Sequence, residues 1–135
     1  MVHPPIPEDI RRFVLTSIPS VPHLEALLLL RGAPAQDWPA GHLAERLYIG
    51  EKVAAVLLDD LCRAGMAQRC GEDEDAPSLE PRYRYQPATA ILRATIDDLA
   101  ELYSRRLVDI SNLIHSKLER KAQQFADAFR LRKDN

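Results

Sequence analysis

The chain lacks most of what a membrane protein, a metalloprotein or an enzyme would carry. No segment reaches the roughly 18 uninterrupted apolar residues that a membrane span requires. The N-terminus lacks the basic-then-apolar layout of a signal peptide, so the expected location is the cytoplasm. Only two cysteines occur, Cys62 and Cys70, eight residues apart. With no CxxC pair and no second pair they offer no zinc site, and they read as reduced thiols. His3, His23, His42 and His115 fall in different segments, and none stands at metal-ligand spacing from another ligand. There is no GxSxG, no Gly-rich phosphate loop and no HExxH. A serine nucleophile at Ser17 or Ser20 working with a histidine has no support beyond chance. Asp59-Asp60 and Asp97-Asp98 are adjacent pairs, which on a helix point about 100° apart and form no catalytic dyad. Neither an enzyme nor a bound cofactor or metal is expected.

What remains is enough for one domain and too little for two full cores, at 135 residues. The net charge of −2 hides an uneven distribution. Residues 1–19 are neutral, residues 20–87 carry −4 and residues 88–135 carry +2. The acidic middle segment weighs against tight nonspecific DNA binding, which depends on neutralising phosphates.

Prolines and glycines punctuate the first 87 residues and then vanish. Pro7 suits a helix start, with Glu8 and Asp9 in the favourable first turn, and Ile10, Phe13, Val14 and Ile18 form an apolar stripe that ends at Pro19. Ser20 is an N-cap candidate for a helix through Leu24, Leu27, Leu28 and Leu30, apolar on most sides and so expected in the core. Gly32 to Pro39 reads as a loop, with Trp38 packing as a hydrophobic staple. A short helix from about Pro39 to Leu47 follows, then a tight turn at Tyr48-Ile49-Gly50. A second helix runs from about Glu51 to Ala64 and stops at Gly65, placed as a C′ glycine. Met66–Cys70 reads as a strand, and Arg82–Gln86 alternates Tyr83 and Tyr85 with polar neighbours as a second strand. The acidic stretch from Gly71 to Pro81 reads as a mobile loop between them, longer than most hairpin loops.

After Pro87 the pattern is helical to the end of the chain. Ile96, Leu99, Tyr103, Leu107, Ile110, Ile114 and Leu118 step by 3, 4, 4, 3, 4 and 4. Phe125 and Phe129 continue the series, with Lys121 as its polar miss. This 11-residue repeat suits a nearly straight helix. Unbroken from Ala88 to Arg130 it would span roughly 65 Å at 1.5 Å per residue. One small domain would not bury such a stripe, so a partner helix from a second copy is expected to cover it. Whether the segment is one rod or two folded pieces stays open. The tail Arg130-Leu131-Arg132-Lys133 places basic charge favourably at a helix C-terminus.

Helix, loop, helix, turn, helix, hairpin is the order of a winged helix-turn-helix. Trp38-Pro39-Ala40-Gly41-His42-Leu43-Ala44-Glu45-Arg46-Leu47 resembles the first helix of that unit, with its leucine-alanine pair followed by a leucine. Tyr48-Ile49-Gly50 takes the place of the turn. Val53 to Met66 resembles the second helix, closing on a leucine, three residues, a glycine and an apolar residue. The hairpin through Tyr83 and Tyr85 resembles the wing. The whole chain is similar to bacterial regulators that add a long dimerising helix after the wing. The expected organisation is an N-terminal helix over residues 1–19, a winged helix-turn-helix over 20–87 and a long C-terminal helix over 88–135: mainly α, with a small β-hairpin.

The resemblance implies a homodimeric, DNA-binding transcriptional regulator whose second helix enters the major groove. With Ala54, Leu57, Leu58 and Leu61 inward, the residues facing out are Glu51, Lys52, Ala55, Val56, Asp59 and Arg63. Val56 and Ala55 suit thymine methyl groups and make no bidentate contacts. Arg69, Arg82 and Arg84 on the wing strands suit phosphates, with Arg11 and Arg12 as further contributors. The expected DNA-contacting set is therefore Lys52, Ala55, Val56, Arg63, Arg69, Arg82 and Arg84. The expected dimerisation set is Ile96, Leu99, Tyr103, Leu107, Ile110, Ile114 and Leu118. Against this stand Glu51, Asp59 and the acidic wing tip Glu72-Asp73-Glu74-Asp75. They keep open a second reading, a winged helix that binds another protein and has lost DNA.

Overall fold

A computed structural model describes residues 4–70 and 81–133, with side chains described up to residue 130. Of the acidic loop expected over Gly71–Pro81, only Pro81 lies among the described residues, and the tip Glu72-Asp73-Glu74-Asp75 lies outside them.

Helix α1 (Glu8–Ser17) starts behind Pro7, whose fixed φ and missing N–H suit a helix entrance, and carries Glu8 and Asp9 in its first turn. It buries Ile10 and Val14, and Ile18 just beyond it is fully buried. Helix α2 (Val21–Gly32) is capped by Ser20, whose Oγ accepts from the His23 N–H at 3.3 Å. It is the central helix: Leu24, Ala26, Leu27 and Leu30 are fully buried, and Leu28 and Leu29 are half-buried.

Strand β1 (Trp38–Pro39) is a departure from the loop expected over Gly32–Pro39. Trp38 pairs with Tyr83 and Pro39 with Arg82, giving a three-stranded antiparallel sheet in the order β1-β3-β2. Proline is tolerated because β1 is an edge strand. Trp38 is buried and its ring lies 4.7 Å from that of His42.

Helix α3 (Ala40–Leu47) follows directly and buries Leu43 and Ala44. It ends at Tyr48, a non-glycine residue in the left-handed region (φ 56°, ψ 46°), which turns the chain into helix α4 (Glu51–Arg63). Helix α4 ends as expected at Gly65, with φ +77°. The N–H groups of Gly65 and Met66 close the helix on the carbonyls of Cys62 and Leu61, both at 3.0 Å. Strands β2 (Ala67–Cys70) and β3 (Arg82–Tyr85) pair antiparallel, with Ala67 opposite Tyr85 and Arg69 opposite Tyr83.

The C-terminal run is two helices, α5 (Ala90–Arg105) and α6 (Leu107–Lys133), broken at Arg106 (φ −133°, ψ 50°). Thr89 caps α5 by accepting from the Leu92 N–H at 3.0 Å. Arg106 begins α6: its carbonyl accepts from the Ile110 N–H at 3.1 Å, and its Nε donates to Asp109 Oδ2 at 2.9 Å. The break lets α1 pack against both α5 and α6. Ile96, Leu99, Ile110 and Ile114 are thereby fully buried within one chain. Each such burial is worth about 1.5–3 kcal/mol, against about 1 kcal/mol for each backbone hydrogen bond given up at the break.

No single helix among the described residues is long and apolar enough to cross a membrane. Helices α1 and α2 pass that test only together, as a pair bent by 108°. Their apolar faces fill the core described above.

Candidate nucleic-acid interface

The helix-turn-helix is built by burying one side of α4. Ala54, Leu57, Leu58 and Leu61 are in the core, as the sequence places them. At 4, 3 and 4 residue steps, Lys52, Val56, Asp59 and Arg63 then form a line along the opposite, exposed face. Ala55 departs from this line: it is half-buried and packs against the core edge. Val53, not singled out in the sequence, is exposed instead at 51%, close to the 57% of Val56. The signal was available, since Val53 lies three residues before Val56 and so on a neighbouring position of the same surface. Tyr48, in its left-handed turn, is 96% exposed.

The wing strands carry Arg69, Arg82 and Arg84, and strand geometry divides them. Successive side chains alternate in direction, and residues directly opposite across the ladder share a face. In β3, Tyr83 and Tyr85 are buried while Arg82 and Arg84 are exposed. Arg69 is opposite Tyr83, so it lies on the sheet face turned toward α4. Its charge there reaches both Tyr83 and Cys62. Arg82 and Arg84 share the other face with Cys70 and Gln68.

Charges are partly spent inside the unit. Arg84 holds Asp37 through Nε at 2.9 Å and Nη2 at 2.7 Å. The Cys70 thiol donates to the same Asp37 oxygen at 3.3 Å. That thiol, with the Arg84 guanidinium, holds the Asp37 carboxyl below its ordinary value, and Arg82 contributes a weaker attraction. Asp59, on the outward face of α4, accepts from Tyr83 Oη at 2.9 Å. Burial first, and then the Asp59 carboxylate, pushes the Tyr83 phenol up to about 12. Both cysteines are free; burial first, then Asp59 at Cys62 and Asp37 at Cys70, raises their thiols. Arg46, Lys52 and Arg63 have no carboxylate within 4 Å among the described residues.

Side-chain bridges orient this unit against the rest of the chain. His23 is buried, bonds Ser20 through Nδ1 and reaches Asp60 Oδ2 from Nε2 at 2.8 Å, joining α2 to α4. The Ser20 hydroxyl is at the same time the N-cap acceptor of α2. Tyr103 Oη donates to Glu25 Oε1 at 2.7 Å, joining α5 to α2. Burial, then Glu25, raises that phenol to about 12 as well. Arg31 and Asp97 add a surface pair at 2.9 Å.

Of the seven residues expected at a contact between copies, Ile96, Leu99, Tyr103, Ile110 and Ile114 are buried inside the single chain. Leu107 and Leu118 are exposed at 53% and 43%. The premise that one chain leaves the whole stripe uncovered therefore fails at those five buried positions, while α1 lies against both halves of the broken run. Arg11 and Arg12 are exposed on that same α1, which packs on α5 and α6.

No protein-family model matches the sequence, and no curated protein matches it. Solved structures do resemble its fold. Wild-type MarR from E. coli shares 16% identity, with 93% of this chain and 84% of that chain covered and a TM-score of 0.52. A mutant MepR from S. aureus shares 12% identity, with 94% and 86% covered and a TM-score of 0.53. The chain also spans 65% of the length of RV1404 from Mycobacterium tuberculosis, at 14% identity and a TM-score of 0.49. With its helix-turn-helix, three-stranded sheet and C-terminal helices, the chain has the winged-helix fold seen in MarR and MepR.

Proposed function

We propose that the chain is a DNA-binding transcriptional regulator that acts as a homodimer in the bacterial cytoplasm. The observation that carries this reading is the outward line of α4. Its two cations, Lys52 and Arg63, stand free of carboxylates among the described residues, on a helix whose other side is fully committed to the core. The fold shared with MarR and MepR, which are winged-helix transcription regulators, supports it. In this reading α4 lies in the major groove, and Arg82 and Arg69 approach phosphates from the two faces of the wing. Dimerisation rests on the apolar residues that α6 leaves in water, Leu107, Val108, Leu118, Phe125 and Phe129. The rings of the last two lie 5.9 Å apart.

Fluorescence anisotropy on mixed genomic fragments, from about 50 to 200 mM salt, tests the DNA reading. Salt-sensitive binding with some fragments enriched is the expected result, and no binding at the lowest salt overturns it. Light scattering showing a monomer at high concentration overturns the dimer.

One set of observations favours a protein partner instead. Arg84 is held by Asp37, the segment over residues 20–87 carries −4, and Tyr48, Val53 and Val56 are exposed. The two readings separate by substitution. DNA binding requires Lys52→Ala and Arg82→Ala to weaken affinity on every sequence and flatten its salt dependence. A protein site would ignore those changes and be severely weakened by Val56→Asp.

A further inference from the structure

We infer that α4 reads the C5-methyl groups of thymine in the major groove, with Val56 and Val53 as the contacting residues. The inference rests on the DNA-binding reading. Val56 is the middle of the outward line, one turn after Lys52 and two turns before Arg63. Val53 lies beside it in the first turn of the helix. Neither side chain is used by the core. The inner side of α4 is filled by Ala54, Leu57, Leu58 and Leu61, and both valines keep about half their surface in water.

Base-edge chemistry selects the partner. An isopropyl group neither donates nor accepts a hydrogen bond, so it satisfies none of the polar edge atoms of guanine, cytosine or adenine. Thymine alone displays an apolar group in the major groove, its C5-methyl. Valine is stiff at χ1, so its methyls stay in place at little entropic cost. Val53 borders an apolar groove lined by Ala40, Gly50, Ala55 and Pro81, whereas Val56 stands among the exposed charges of Lys52, Asp59 and Arg63. Lys52, Arg63 and Arg46 then face the phosphates flanking the contacted bases.

Duplexes with a random core are selected for binding to the full chain, and the enriched duplexes are resynthesised with deoxyuridine replacing each thymine in turn. The swap removes one methyl and keeps both base pairing and the O4 acceptor. At one or two positions of each half-site the affinity should fall about fourfold, the scale of one buried methyl. Val53→Ala and Val56→Ala, surface changes that leave the core intact, should abolish that discrimination and keep the salt slope. Lys52→Ala should lower the salt slope and keep the discrimination. Uracil tolerated at every position overturns the inference, as does a Val53→Ala/Val56→Ala variant with the wild-type thymine-to-uracil ratio. Salt-sensitive binding with no sequence enriched also overturns it and leaves the DNA reading standing. Failure to bind any duplex at the lowest salt overturns both.

Discussion

Helix α4 ends at Gly65 and helix α5 ends at Arg106, and the contrast separates two ways of stopping a helix. At Gly65 the backbone adopts φ +77°, a region open to glycine and costly to other residues, so the stop is encoded at the position itself. At Arg106 there is no glycine, no proline and no lapse in the 3-4-4 apolar pattern. The chain breaks there because folding α6 against α1 buries Ile110 and Ile114 completely. One boundary follows from local stereochemistry and the other from packing. The two should respond differently to mutation.

The largest effect is expected at the packing boundary. Ile110→Ala removes part of a fully buried side chain held between α6 and α1, and should cost about 2–5 kcal/mol in urea unfolding. A loss under about 1 kcal/mol would show that the burial of Ile110 does not hold the broken arrangement. Next comes the local boundary. A Cβ on Gly65 would meet Ala88 Cβ at an ordinary 3.5 Å, so crowding is minor and backbone strain dominates. Gly65→Ala should cost roughly 1–2 kcal/mol, measured the same way.

A finer comparison lies within the sheet, between Tyr83 and Tyr85. Both rings are buried, but Tyr83 donates to Asp59 while the Tyr85 hydroxyl is buried with no hydrogen-bond partner among the described residues. Tyr83→Phe should destabilise by about 1–2 kcal/mol, whereas Tyr85→Phe should be neutral or slightly stabilising. The packing of Arg93 over the Tyr85 ring, 5.4 Å from its centroid, survives that change. Tyr83 also carries a pH signature, shared with Tyr103. Folding raises both phenols from 10 to about 12, because the ionised form is disfavoured by burial and by a carboxylate. Their contribution is therefore complete below pH 10 and is lost as pH rises toward 12. Ultraviolet titration should show Tyr83 and Tyr103 ionising late, with Tyr85, whose phenol burial also raises, beside them, together with alkaline unfolding. The smallest effect is expected at the Arg106–Asp109 pair that begins α6, where Asp109→Ala should cost under about 1 kcal/mol.

Legibility follows the same division. The alternation in Arg82-Tyr83-Arg84-Tyr85, the Ser20 cap and the inward set Ala54, Leu57, Leu58 and Leu61 are all visible in the sequence, as a cap signal or as patterns of period 2 or 3.6. The structure has them in those places. Strand β1 is not visible there, because two residues show no alternation and Pro39 argues for a loop; its existence depends on Tyr83 and Arg82 being present opposite it. In the candidate interface, the exposure of Val56 is legible, and that of Val53 follows from the same helical spacing without standing out. The half-burial of Ala55, the hold of Asp37 on Arg84 and the separation of Arg69 from Arg82 and Arg84 are not legible. Each depends on a partner distant in sequence.

By itself, the sequence determined which face of each helix and strand is apolar and where the backbone must take a special conformation. Those two requirements are local, and they suffice for a helix-turn-helix beside a small sheet. Only the tertiary structure decided how the C-terminal run divides, which charges of the winged helix are already paired, and which apolar groups stay in water. Those outcomes compare the burial gained by one arrangement with the hydrogen bonds and hydration lost in another, and the competing surfaces meet only when the chain has folded.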